Sequence, residues 1–345
     1  MTDHKFPYKW HLKNGYPAKD INYHGCKVFG TFVCGGGSTM GYKLAGFKHI
    51  GGVEIDEKIA TVYKENHNPD YFFTEDIRQF NEREDLPSDL YNLDLLDGSP
   101  PCSSFSMAGN RDKDWGKKKK FKEGQKMQRL DDLVFEYIKT IKKLQPKVAI
   151  LENVKGLIQG SAKAYTKKIF KEFRESGYRV QLFLLNAASM GVPQKRERVF
   201  FIGLRNDFKL PKLKLEFNEK PIPFKLIESN DLGQPITGEM RKLWGICKNG
   251  KSLSTVHPKG NYFGSFKVCP NKTPNTVIAS NSSPLLHYNK PNYISKNELC
   301  QIGSYPLDYN FKDTKPKYLI GMSVPPVMTA QISYQIYLQW LSKIK

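Results

Sequence analysis

The sequence is poor in several features that mark whole classes of protein. No uninterrupted apolar run approaches the length needed to cross a bilayer, and the start, Met1-Thr2-Asp3-His4-Lys5, lacks the apolar segment of a secretory signal. Its six cysteines, at positions 26, 34, 102, 247, 269 and 300, show no Cys-x-x-Cys spacing, and the histidines offer no paired ligands. Neither a zinc site nor a secreted disulfide scaffold is therefore expected. No internal repeat is present. Acidic residues are scarce beside basic ones, 34 Asp and Glu against 54 Lys and Arg, for a net charge of +20. These absences lead to the expectation of a soluble, cytoplasmic protein.

What is present fits a folded protein with a polyanionic partner. At 345 residues and 39% hydrophobic content, the chain has room for one large domain and a smaller one. The excess of positive charge makes a small neutral substrate acting alone a poor fit, although a lysine-rich composition by itself has the same effect. Arginine is the more telling cation because its planar fork specifies geometry. Two arginines lie together in Gln194-Lys195-Arg196-Glu197-Arg198.

Residues 1–26 are polar, aromatic and irregular, and read as an N-terminal arm. From there strand-like and helix-like segments alternate. Strands are expected at 28–34, 50–55, 93–97, 148–152, 180–186 and 199–205, with a glycine turn at 35–38. A helix carrying Met40, Leu44 and Phe47 should follow that turn, and another should span 57–66. Apolar stripes at helical spacing, Leu133, Tyr137, Ile138, Ile141 and Leu144, then Ile169, Phe170 and Phe173, mark core faces. This alternation predicts an α/β, doubly wound domain with a mostly parallel sheet over 27–206. Residues 207–295 scatter Gly, Pro, Asn and aromatics without long periodic runs and suggest a smaller, loop-rich domain. Residues 296–345 turn helical again from Pro325 and are expected to return to the first domain, since a lone helix cannot bury its own apolar face.

Several strand ends carry candidate chemistry. In Leu95-Leu96-Asp97-Gly98-Ser99-Pro100-Pro101-Cys102, an apolar strand meets a rigid Pro-Pro corner and presents a cysteine with no disulfide or metal to belong to. A half-buried structural cysteine is the plain alternative. In Phe32-Val33-Cys34-Gly35-Gly36-Gly37, bare glycines allow close backbone approach at a helix N-terminus, although a simple tight turn would use them too. Glu54, next to Ile55, ends the following strand in position for ribose hydroxyls, and Asp76-Ile77 suits an adenine ring. Together they favour an adenosine-containing cofactor, while no second phosphate-directed feature argues for a dinucleotide. Glu152 closes another buried strand, where a carboxylate needs a partner or a function; a surface acid is the alternative reading.

These motifs, in this order, resemble the cytosine-C5 DNA methyltransferases across nearly the whole chain. The family's cofactor loop matches Phe32, Cys34, Gly35, Gly36 and Gly37, with Cys34 standing where a glycine is usual. Its Pro-Cys nucleophile matches Pro101-Cys102, its Glu-Asn-Val triplet Glu152-Asn153-Val154, and its Gln-x-Arg-x-Arg Gln194, Arg196 and Arg198. The late Gly-Asn-Ser-Val-Pro-Pro appears as Gly321-Met322-Ser323-Val324-Pro325-Pro326, with Met322 replacing asparagine. A weaker motif survives as Glu298 and Tyr305-Pro306.

The resemblance implies a Rossmann-like S-adenosylmethionine-dependent domain at 27–206 and a target-recognition domain at 207–295. It also implies a monomer that methylates cytosine C5 in double-stranded DNA at a specific sequence, through a covalent Cys102–C6 adduct on a flipped base. A cognate restriction endonuclease would act separately, and the product would be S-adenosylhomocysteine. Catalytic roles fall to Cys102, Glu152, Arg196 and Arg198. Cofactor contacts fall to Phe32, Cys34, Gly35, Gly36, Gly37, Glu54, Ile55, Asp76, Ile77, Pro101, Ser323 and Val324. No metal is expected. Residues 103–129, with Gly109, Gly116 and Gly124, read as a closing loop in which Ser104, Lys117, Lys118 and Arg129 meet DNA; an exposed charged loop explains the lysines equally well. Arg241, Lys242, Lys248, His257 and Lys259 are further DNA candidates, and Trp244 is divided between DNA contact and core. An RNA (tRNA) cytosine-C5 methyltransferase, or a DNA-binding relative with decayed catalysis, are the alternatives.

Overall fold

Short apolar runs bounded by glycine, proline or charged residues become the strands of one sheet. In the computed structural model, which describes residues 4–16, 21–101 and 132–344, these are β1 (Lys27–Thr31), β2 (Lys48–Val53), β3 (Tyr71–Phe73), β4 (Leu95–Gly98), β5 (Val148–Val154), β6 (Tyr178–Asn186) and β7 (Glu197–Arg205). Helices α1 (Gly37–Leu44), α2 (Glu57–His67), α3 (Ile77–Glu82), α4 (Leu133–Leu144) and α5 (Lys163–Glu175) alternate with them. The strand order is β3-β2-β1-β4-β5-β7-β6. β1 pairs in parallel with β2 and β4, β2 with β3, and β4 with β5; β7 runs antiparallel to β5. The expected doubly wound, mostly parallel α/β fold is therefore present. The order in which strands are added reverses between β1 and β4, and such a switch point opens a crevice beyond the C-terminal strand ends.

The predicted helical stripes are core faces. Leu133, Tyr137, Ile138, Ile141 and Leu144 on α4 are all buried in one cluster with Phe29, Leu96, Ala149 and Leu151, and Ile169 and Phe173 on α5 join them. Burying each such side chain stabilises the fold by about 1.5–3 kcal/mol. Tyr137 also ties strands together, because its hydroxyl donates to the carbonyls of Leu96 (2.9 Å) and Ile150 (2.6 Å). Gly98 leaves room for that ring, since a Cβ there would sit 2.4 Å from it. α2 begins where Asp56 accepts from the amides of Lys58 and Ile59, the usual way to satisfy orphan N–H groups.

Two features differ from the sequence reading. β3 is not among the expected strands, since its three residues are too few to show alternation, and Asp76, three residues on, caps a helix. α1 starts already at Gly37 and stops at Leu44, so Phe47 lies beyond it, buried all the same.

By contacts the chain forms two units. The sheet unit comprises Asn22–Leu185, Glu197–Leu215 and Ile332–Lys345; the second comprises Met1–Ile21, Asn186–Arg196 and Glu216–Gln331. The second unit contains α6 (Gly238–Ile246), the two-residue parallel strands β8 (Phe266–Lys267) and β9 (Leu285–Leu286), α7 (Lys296–Ile302), α8 (Pro316–Met322) and the start of α9 (Pro326–Gln339). A small apolar cluster of Ile236, Leu243, Cys247, Leu253 and Leu286 supports α6.

Candidate active site

The loop after β1 turns sharply. Phe32 (φ 56°), Cys34 (φ 48°) and Gly36 (φ 74°) are all left-handed, and Gly36 caps the start of α1. A bulkier residue at Gly36 would collide with His67, whose Nε2 would lie 2.1 Å from the added Cβ. His67 packs beneath the loop and donates from Nε2 to the Gly35 carbonyl at 3.3 Å. Burial, with the Lys43 charge second, pushes its imidazole down to about 3. On the other side the Glu54 carboxylate accepts from the Cys34 amide (2.9 Å) and the Asp56 amide (3.0 Å). Burial raises Glu54 to about 7 against the opposing pull of those amides and that of half-buried Ile55. Glu54 thus holds the loop as well as closing the strand.

The antiparallel course of β7 creates the second feature. Its first residues lie beside the last residues of β5: Arg198 opposes Val154, and Val199 opposes Asn153. Glu152, two residues before Val154, therefore shares a sheet face with Arg198 at diagonal spacing. Arg198 Nε donates to Glu152 Oε1 at 3.1 Å, with both side chains largely buried. Burial lowers the guanidinium pKa and the Glu152 charge opposes that shift. The neighbouring Asn153 donates from Nδ2 to the Pro100 carbonyl at 3.2 Å, fixing the end of β5 to the Pro-Pro corner. Pro101 is half-buried, and Cys102 follows it outside the described residues.

A glycine loop at a sheet switch point, an acid after β2 and an Arg–Glu pair at the β5 end form one pattern. Residues 26–249 match the profile of C-5 cytosine-specific DNA methylases. The chain belongs to this family. Among the family's members, the Type II methyltransferase M.FnuDI of Fusobacterium nucleatum is 36% identical over 188 residues, 53% of this chain and 48% of that protein. M1.HphI of Haemophilus parahaemolyticus is 24% identical over 329 residues, 88% of this chain and 84% of its own length. The chain spans about half the length of the curated relatives that it matches at 33–36% identity. The fold is shared with a DNA modification methyltransferase from an E. coli prophage, at a TM-score of 0.71 and 18% identity, covering 92% of this chain and 100% of that one.

The family implies S-adenosylmethionine, and the residues present fit it. Gly35, Gly36 and Gly37 leave the loop backbone bare, His67 closes the space a side chain at Gly36 would need, and Glu54 presents a carboxyl at the adjoining strand end. Asp76 is more committed than its sequence position suggests. Its carboxylate caps α3 at the Arg78 amide and pairs with the Arg78 guanidinium at 3.0 Å, while Ile77 is buried in the core.

Other predicted residues are placed differently. Arg196 falls in the second unit, 2% exposed, where its guanidinium donates to the carbonyls of Val277 (3.1 Å) and Gly321 (2.9 Å). In this second unit Ser323 is buried with its hydroxyl on Tyr305 and the Leu319 carbonyl, Val324 is buried beside it, and Met322 is partly exposed at the end of α8. Arg241 and Lys242 stand exposed on α6, as do Lys248 and Lys259 in the loops after it. Trp244 takes the core alternative, donating to the His287 carbonyl at 2.7 Å with Lys267 over its ring. Ser104, Lys117, Lys118, Arg129 and the proposed closing loop lie outside the described residues. Sequence reasoning passed over His67, Asn153 as a tether, and Asp97, a buried acid whose signal was its place inside an apolar strand run.

Proposed function

We propose that the chain transfers a methyl group to C5 of cytosine in double-stranded DNA, with the target base turned out of the duplex. The Glu152–Arg198 pair, joined through Asn153 to the corner that precedes Cys102, is the observation that carries this reading. C5 of cytosine is too electron-poor to attack a methyl group unaided. Addition of the Cys102 thiolate forms an S–C6 bond and moves the C5=C6 electron pair onto C5, splitting one hard step into easier ones. Glu152 holds a proton at ring N3 as that charge develops, and Arg198 donates to the base O2 and keeps the carboxyl oriented. S-adenosylmethionine, held by the loop 32–37 and Glu54, supplies the electrophilic methyl group when bound. A base or water then takes the C5 proton, the C5–H electron pair restores C5=C6 and the S–C6 bond breaks, freeing the thiolate. Reaching C6 requires base flipping, which costs a few kcal/mol.

The named relatives' Type II character extends the proposal to methylation at a fixed sequence, alongside a separate endonuclease. Methyl incorporation into duplex DNA and into tRNA, compared side by side, tests the substrate; incorporation into tRNA alone would replace DNA with RNA. Cys102→Ser should abolish transfer. Glu152→Gln should sharply reduce covalent trapping on a duplex containing 5-fluorocytosine. A fully active serine variant would overturn the mechanism.

A further inference from the structure

The Asp97 carboxyl is 6% exposed at the end of β4, between β1 and β5, where its register partners are Gly30 and Ile150. It accepts from the Tyr42 hydroxyl at 3.0 Å. Tyr42 stands in the second turn of α1. The Thr31 hydroxyl at the end of β1 donates to the Asp97 carbonyl at 3.1 Å. One residue thus joins the helix that begins at the cofactor loop to the strand that leads into the Pro-Pro corner. Packing alone does not call for an acid here, because an apolar side chain would fill the site without losing solvation. Burial, with the Glu152 charge nearby, pushes Asp97 up to about 7; Tyr42 and Tyr137 are the other titratable groups facing it.

We propose that Asp97 is a positioning residue that clasps α1 through Tyr42, holding the glycine loop in register with the corner before Cys102. This rests on the S-adenosylmethionine-dependent reading given above. A preformed loop binds its ligand without the cost of ordering it, so the clasp acts on cofactor affinity more than on stability. The test measures binding of S-adenosylhomocysteine by calorimetry, beside urea unfolding, for the full chain. Asp97→Leu should weaken binding by about tenfold or more, and combined with Tyr42→Phe, which leaves no buried hydroxyl unpaired, the chain should unfold at a denaturant concentration close to that of the parent. Asp97→Asn, which keeps one acceptor oxygen, should recover part of the loss. Tyr42→Phe should weaken binding by a few-fold, and the double variant with Asp97→Leu should be no weaker than Asp97→Leu, as members of one network behave. Ile169→Val, a core truncation on α5, should lose stability and keep its affinity. Parental affinity in Asp97→Leu and Tyr42→Phe, or losses that merely follow stability, would overturn the clasp. Failure of the parent chain itself to bind S-adenosylhomocysteine would instead remove the functional reading beneath it.

Discussion

At the scale of single residues, the cofactor loop concentrates unusual conformation and unusual protonation. Cys34 carries a side chain at φ 48° where the family's loop has glycine. A left-handed non-glycine residue costs about 1–2 kcal/mol, part of which glycine returns through its freer unfolded chain. Cys34→Gly is therefore expected to stabilise the protein by up to ~1 kcal/mol, read as a higher urea midpoint. Glu54 and His67, on either side of the same loop, oppose each other in pH. Glu54, raised from 4.5 to about 7, binds its proton more tightly when folded. Its contribution is complete below the unfolded value and fades as pH rises toward 7. His67, lowered from 6.5 to about 3, is neutral when folded, and its contribution fades as pH falls from 6.5 toward 3. Unfolding across pH 3–8 should show Glu54→Gln gaining on the parent between pH 4.5 and 7. His67→Gln should lose less than the parent between pH 6.5 and 3.

Among the elements, the start of β7 decides most. Arg196 and Arg198 lie two positions apart, a spacing that would put both on one face of a continuous strand. The strand begins at Glu197, however, and only Arg198 meets Glu152. Arg196 instead bonds two backbone carbonyls within the second unit. Truncating it leaves buried carbonyls unsatisfied, at about 1–3 kcal/mol for each group. Arg196→Ala should therefore unfold at a clearly lower denaturant concentration, and Arg196→Lys should recover only part, because one ammonium cannot reproduce the guanidinium fork. Unchanged stability in Arg196→Ala would return this residue to the chemistry for which its motif suggested it. β3 shows the converse limit: three residues carry no periodicity, yet a place in the sheet beside β2 makes them a strand.

On the scale of the molecule, charge is the feature with functional reach. A net +20 predicts binding to duplex DNA that weakens steeply with salt, since each neutralised phosphate releases counterions. Arg241 and Lys242 stand exposed on α6. If each meets a phosphate, removing it should lower the slope of log affinity against log salt by about one. Fluorescence anisotropy of Arg241→Ala and Lys242→Ala over a salt series checks this, and an unchanged slope would place both residues away from the DNA. Trp244, which sequence alone left open between DNA and core, is answered by packing: its indole N–H is spent on a backbone carbonyl and its ring lies under Lys267.

The alternation of apolar runs and helical stripes was enough to determine the doubly wound sheet, and the order of Phe32–Gly37, Pro101-Cys102, Glu152 and Arg198 was enough to determine the family. Periodicity reports which side of an element is buried, and that information is local. Tertiary structure alone decided that β7 runs antiparallel and so carries Arg198 to Glu152. It also decided that Arg196 turns to other partners, and that Asp97 finds the Tyr42 hydroxyl. Strand direction and the partners of buried polar groups depend on segments far apart in the chain, and only their packing brings those segments within hydrogen-bond reach.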